Sequence, residues 1–204
     1  MKFCIFSLYF LLSSICGLRA QNTDLRLLNY INSAENPGPD KAWRMLTNSA
    51  NYIDAAVPIG IFIVGLAEHD SELKSKAYTI AASNVVNLGA TLALKLAFNR
   101  QRPAVAYPAI IYDKVEESGP SFPSGHTSAA FATATSLSLV FPKWYVIAPS
   151  FVYAGAVGYS RLYLGVHYPS DVLAGALLGS ASAFVTYKTQ HWITKRWSKK
   201  KIDQ

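Results

Sequence analysis

Apolar residues in this chain come in long, almost unbroken blocks, separated by short polar stretches. Nowhere do they alternate one-in, one-out as they would along half-buried strands. Residues 24–34 predict a helix with Leu25, Leu28 and Ile31 on one stripe. The run Asn36-Pro-Gly-Pro-Asp40 predicts a break. A helix resumes over 41–53, and the apolar block 55–67 extends the element that begins near Leu46. A charged turn is expected over 68–76, then a long apolar helix over 77–98 with Asn84 and Asn87 inside it. Residues 99–125, rich in Pro, Gly and charge, read as non-helical. Helices follow over 127–141, ended by Phe141-Pro-Lys143, and over 144–158. A polar loop spans 159–170 and a last apolar helix 172–187. With no internal repeat and no low-complexity tract, the expectation is an all-α bundle of about six helices in one domain.

Composition moves that bundle towards a membrane. Of 204 residues, 51 % are hydrophobic and 15 % charged, against roughly 25 % charged in an ordinary soluble domain. Only 77–98 comfortably reaches the roughly 20 apolar residues of a spanning helix, and the mean hydropathy of +0.18 is modest. A soluble bundle is therefore the alternative. The Ser, Thr and Gly in the helices suit close packing in either setting. The net charge of +7 is concentrated at the C-terminus, where residues 188–204 hold six Lys or Arg, one Asp and two Trp. Such a tail fits the cytoplasmic flank of a membrane helix, with Trp as interfacial anchor, better than a nucleic-acid surface. If the tail is inside, the loops 99–125 and 159–170 both face outside.

The first 20 residues place Lys2 before about 16 mostly apolar residues and end at Ala20, the pattern of a secretory signal peptide. An uncleaved first transmembrane helix is the alternative. Both cysteines, Cys4 and Cys16, lie in this segment, so a chain cleaved there has no disulfide and no cysteine-ligated zinc. The domain reading is a signal segment 1–20, a helical domain 21–187 and a basic tail 188–204.

Three polar clusters stand at loop–helix boundaries: Lys95 to Pro103, Pro123 to His126, and Ser160 to Asp171. Each alone is unremarkable, since a basic residue at a helix end ordinarily caps or snorkels. Together, Lys95, Arg102 and Arg161 supply three cations, and Gly125 exposes amides beside a helix start. That is an oxyanion cradle. His126 and His167 lie beside it, able to attack phosphorus or move a proton near neutral pH. Asp171 can orient a His ring.

In this order the clusters spell KX6RP (Lys95, Arg102, Pro103), PSGH (Pro123 to His126) and SRX5HX3D (Ser160, Arg161, His167, Asp171). With every position filled, the chain resembles the type 2 phosphatidic acid phosphatase (PAP2) family across roughly residues 50–187. The resemblance implies a six-helix bundle, membrane-embedded, with its catalytic loops on one face. It implies His167 as a nucleophile forming a phosphohistidine, Asp171 as its orienting partner and His126 as the acid that protonates the leaving alkoxide. Lys95, Arg102 and Arg161 match phosphate-binding positions, Ser124 and the Gly125 N–H match phosphoryl-oxygen donors, and Ser160 takes a positional role. No metal or other cofactor is implied: Asp171 is occupied, and Asp113, Glu116 and Glu117 lie in the loop without a clustered Asp/His set.

The expected substrate is a phosphate monoester or diphosphate on a membrane lipid at a bacterial inner membrane, with the site facing the periplasm. A lipid A phosphate is favoured by family analogy. Undecaprenyl diphosphate, phosphatidylglycerol phosphate and phosphatidic acid are the other candidates, and a soluble periplasmic acid phosphatase is the alternative class. The loop from Ala104 to Gly119 is expected to cover or border the substrate entrance, where Tyr107, Tyr112 and the loop carboxylates would shape selectivity; an ordered connector is the alternative.

Overall fold

The structure is a computed structural model and describes residues 23–32 and 37–202. The expected signal segment 1–20 lies outside the described residues. Helices are α1 (residues 23–32), α2 (Pro37–Ala67), α3 (Ser71–Phe98), the single turn α4 (Pro103–Ala106), α5 (Gly125–Val140), α6 (Trp144–Tyr163) and α7 (Pro169–Ile202). Leaving aside the one-turn α4, this is the all-α bundle of six helices that the apolar blocks predict.

The boundaries differ from expectation for identifiable reasons. The expected break at 36–40 is largely the first turn of α2, where Pro residues fit because first-turn N–H groups need no intrahelical acceptor. The charged stretch after Ala67 is mostly helix: Asp70 caps α3, accepting from the N–H of Glu72 at 2.7 Å and of Leu73 at 3.1 Å, and Lys76 pairs with Glu72 one turn away. Helix α6 runs five residues past 158, because its polar end is buried: Ser160 is 0 % and Arg161 1 % exposed. Helix α7 runs through the basic tail to Ile202, since Lys and Arg are good helix formers when their charges are solvated.

Packing relies on small residues. Ala50, Ala130, Ala134, Ala154 and Val157 form a core cluster between α2, α5 and α6. Helices α5 and α7 approach so closely that a Cβ on Gly175 would stand 2.6 Å from the Ser124 carbonyl oxygen. A Cβ on Gly179 would overlap the Ser128 carbonyl and stand 2.8 Å from the Ala132 nitrogen. The segments Pro39–Ala67 and Ser71–Ala106 are each long and apolar enough to cross a membrane. On α3, Leu92 and Leu96 are exposed, as lipid-facing positions are. The ends of α3 and α6 and the starts of α2, α5 and α7 gather at one end of the bundle. There the loops after α3 and α6 meet, with the Lys114 N–H donating to the Leu164 carbonyl at 3.3 Å. The C-terminal part of α7 points the other way.

Candidate active site

Each motif is shaped by its backbone. Asn99 ends α3 in the left-handed conformation (φ 41°), its N–H bonded to the Lys95 carbonyl. The chain then turns back over the bundle end. Pro103 opens α4 and keeps Arg102 extended (ψ 152°), because the residue before proline avoids the helical region. Ser124 stands at the N-cap of α5. Its hydroxyl bonds Thr127 Oγ1 at 2.8 Å and does not cap the helix, so first-turn N–H groups from Gly125 onward have no side-chain cap. Gly165, at φ +77°, makes the turn between Arg161 and His167, with no room for a side chain against Asn32 and Tyr112. Pro169 starts α7. Asp171, two residues on, reaches back to accept from the Tyr168 N–H at 3.0 Å, as the third residue of a capping box does.

These segments bring Lys95, Arg102, His126, Arg161 and His167 around one seat, and an anion already occupies it. The Glu117 carboxylate accepts from Arg102 Nη1 at 2.7 Å and from Arg161 Nη2. One of its oxygens lies 3.7 Å from His126 Nδ1, and the other 4.0 Å from His167 Nε2. Burial opposes the ionisation of Glu117 most strongly. Arg161 and Arg102, then the two histidines, together outweigh it and hold the carboxyl at about 2, against 4.5 ordinarily. Arg161 is further held by Thr47 Oγ1 at 2.7 Å, and its Nε is buried with no hydrogen-bond partner. A two-oxygen carboxylate leaves that donor unused.

Lys95 bonds the Pro120 carbonyl at 2.5 Å at the edge of the seat. The seat opens into a cavity of about 500 Å³ that reaches Asn84 and Asp54 between α2 and α3.

The two histidines differ in their partners. His167 is 1 % exposed. Its Nδ1 lies 3.3 Å from Ser121 Oγ and 3.5 Å from Asp171 Oδ2, so Nε2 is the nitrogen that faces the seat. Burial lowers its pKa to about 4, with Arg161 and Arg102 adding to that and Asp171 opposing it. Burial and then Arg161 likewise bring His126 to about 4, with Glu117 opposing. Both rings are neutral at pH 7 while Glu117 fills the seat. Asp171 is 0 % exposed, and burial works against its charge, yet bonds from His167 and Ser121 and the nearby Arg100 hold it below the usual carboxylate range.

Every residue assigned to the site from sequence lies at this end of the bundle. Ser160 sits behind it, its hydroxyl bonded to the Val157 carbonyl at 2.6 Å. Three contributors escaped the motif reading. Glu117 is expected from sequence only as one of the loop carboxylates at the substrate entrance, not as a partner of the arginines. Ser121, which bonds Asp171 Oδ2 at 2.5 Å, and Arg100, which bonds Asp171 Oδ1 at 2.6 Å, were not singled out. The available signal was proximity: a Glu–Glu pair whose second member, Glu117, stands nine residues before His126, and an Arg two residues before Arg102.

Comparison with known proteins bears on all of this. The chain is 44 % identical over 70 residues to an undecaprenyl-diphosphatase of Sulfolobus acidocaldarius, covering 34 % of each chain. It is 37 % identical over 78 residues to a lipid A 4'-phosphatase of Bacteroides thetaiotaomicron, covering 38 % of this chain and 35 % of that one. These two matches thus span about a third of each relative's length. Among solved structures, Aquifex aeolicus LpxE superposes with a TM-score of 0.69 at 31 % identity, covering 80 % of this chain and 94 % of that one. The model of the PAP2 superfamily matches residues 74–195, which include every residue of the three motifs, and on that match the chain belongs to the PAP2 superfamily.

Proposed function

We propose that this protein is a metal-independent phosphatase that hydrolyses a phosphate group on a membrane lipid through a phosphohistidine at His167. The observation that carries the reading is the seat itself: an anion held by two arginines, with one oxygen towards each histidine. A phosphate ester replacing Glu117 there would meet Nε2 of His167 on one side and His126 on the other. His167 Nε2 then attacks phosphorus as the ester P–O bond breaks, and the leaving alkoxide takes a proton from His126. A water next attacks the phosphohistidine, His126 takes its proton, and the P–N bond breaks to release inorganic phosphate and restore His167.

A phosphate dianion carries more negative charge than the carboxylate it displaces. Its arrival raises the proton affinity of His126 from the resting state, the direction that a proton donor to the leaving group needs. Arg102, Arg161 and the first-turn amides of α5 would stabilise charge on the equatorial oxygens, where one such donor is worth about 3 kcal/mol. The unpartnered Arg161 Nε fits the third oxygen that a carboxylate lacks.

The lipid setting is supported by the two membrane-length helices and by relatives named for lipid substrates. Among lipids, a lipid A phosphate is the favoured substrate. The Bacteroides relative named a lipid A 4'-phosphatase supports it. Undecaprenyl diphosphate is the second reading, favoured by the Sulfolobus relative. The basic end of α7 supports, by the positive-inside rule, a cytoplasmic tail and a seat on the periplasmic side. The test is phosphate release by the detergent-purified chain from Kdo2–lipid A, undecaprenyl diphosphate and p-nitrophenyl phosphate, with EDTA present. The expected result is turnover of Kdo2–lipid A that His167→Ala abolishes along with any acid-labile phosphoenzyme. Retained activity in His167→Ala refutes the nucleophile. Turnover of the small ester alone refutes the lipid substrate.

A further inference from the structure

Arg100 is absent from the reaction as proposed, yet it is bonded to its buried carboxylate. Its Nη1 donates to Asp171 Oδ1 at 2.6 Å and to Ser170 Oγ at 2.7 Å. Its Nη2 donates to Asp24 Oδ2 at 3.1 Å, and its guanidinium lies 3.9 Å from the centre of the Tyr168 ring. The two oxygens of Asp171 thus have separate partners. Oδ1 takes Arg100. Oδ2 takes Ser121 Oγ and the Tyr168 N–H, and faces His167 Nδ1 at 3.5 Å. Rotating this carboxylate about its own axis would carry Oδ2 away from the ring. Arg100 is the only charged donor on Oδ1 among the described residues.

Arg100 is itself anchored from outside the three motifs. Asp24 accepts from Arg100 and from both the N–H (2.9 Å) and the hydroxyl of Ser170. Asp24 belongs to α1, which lies before the segment matched by the family model. The other end of α1 is pinned to the same loops. Asn32, 0 % exposed, donates to the carbonyls of Tyr112 at 3.1 Å and Tyr163 at 2.9 Å, and accepts from the Tyr112 N–H at 2.8 Å. A helix held at both ends fixes Asp24 in space, and a fixed Asp24 fixes the guanidinium.

We propose that Arg100 is a positioning residue for the reaction at His167, and that Asp24 of α1 is its anchor. The chain Asp24–Arg100–Asp171–His167 then lets the N-terminal helix set the orientation of the nucleophile. This rests on His167 being the nucleophile. A ring displaced by about 1 Å can lose on the order of a hundredfold in rate, so the effect belongs in kcat and not in KM.

The charge of Arg100 also bears on titration. His167 faces Asp171 from α7, Arg161 from α6, and Arg102 and Glu117 from the loop. Removing Arg100 leaves the Asp171 anion less compensated, which favours imidazolium at His167. The acid limb of kcat/KM then moves to higher pH.

The experiment uses the full chain in detergent with p-nitrophenyl phosphate and Kdo2–lipid A. Arg100→Gln is expected to lower kcat about 10- to 100-fold with KM within about threefold of wild type, and to move the acid limb upward. Arg100→Lys keeps the charge without the fork, and should restore the acid limb but only part of the rate. Asp24→Asn should lower kcat by a smaller factor, and add nothing on top of Arg100→Gln if it acts through that residue. Asp24→Asn decides alone if Arg100→Gln does not fold. Asp24→Asn with unchanged kcat, or losses that multiply in the double variant, overturns the inference while the proposed function stands. A wild-type chain that releases no phosphate overturns both.

Discussion

Glu117→Gln is the substitution that most directly interrogates the seat. It preserves shape, removes the charge and replaces one of the two acceptor oxygens with an NH2 donor. In the structure the carboxylate bridges Arg102 and Arg161, and its carboxyl is held at about 2, against 4.5 ordinarily. At about 1.36 kcal/mol for each tenfold change in proton affinity, the site favours the seated anion by roughly 3 kcal/mol. The side chain is 22 % exposed, so solvent screens little of this. On the proposed function, a phosphate that enters must first displace that anion, and its observed affinity would be reduced by the same competition. Glutamine still offers an acceptor oxygen, so part of the barrier remains. Binding of inorganic phosphate at pH 7, followed by isothermal titration calorimetry in detergent, should therefore tighten by about 10- to 100-fold, at about 1.4 kcal/mol per decade.

Glu117→Asp makes the same point by reach. Shorter by one methylene, it cannot span both guanidiniums as well, and its affinity for phosphate should fall between wild type and Gln. Phosphate affinity that is unchanged or weaker in Glu117→Gln would refute the reasoning. The carboxylate would then be a partner that prepares the arginines, and not a competitor for them. Acid does not substitute for the mutation: with its pKa at about 2, Glu117 keeps its charge through the whole range in which the protein would be assayed.

Other consequences can be measured on the same protein. His126 and His167 titrate near 4 in the fold, against an ordinary 6.5, so between those values the unfolded chain binds more protons. Stability is then full above about pH 6.5 and falls as pH drops towards 4. The melting temperature should decline over that window, and decline less in His126→Gln. Gly179→Ala drives a methyl into the Ser128 carbonyl and the Ala132 nitrogen, and should cost about 1–3 kcal/mol as α5 and α7 part. Gly60→Ala, where a Cβ meets nothing within 4 Å, should instead stabilise α2 by roughly 0.5–1 kcal/mol, and thermal unfolding distinguishes the two. Asn32→Ala strands the Tyr112 and Tyr163 backbone groups it bonds. It should cost about 1–3 kcal/mol and expose the loop before Ser121 to limited proteolysis.

What was legible in the sequence was whatever is encoded locally. The apolar blocks announce the helices because a buried or lipid-facing helix must be apolar along its length. The motif spacings announce the cradle because each spacing is a local shape: an extended Arg before proline, a helix opening at Ser124, a turn and a capping-box return between His167 and Asp171. The errors arose where a distant partner decides the outcome. Ser160 and Arg161 look like loop residues until Thr47 and Glu117, 114 and 44 positions away, give Arg161 a buried place to bond. Glu117 itself looks like one of several loop acids. Only the fold brings it to two arginines, while its neighbour Glu116 stays exposed. Asp24 is the extreme case, separated from Ser170 by 146 residues yet bonded to it twice. A carboxylate's role depends on which cation it reaches, and that is a property of tertiary structure. The reactive groups can therefore be read as a pattern, whereas the groups that restrain them, Glu117 across the seat and Arg100 behind Asp171, emerge only once the loops have met.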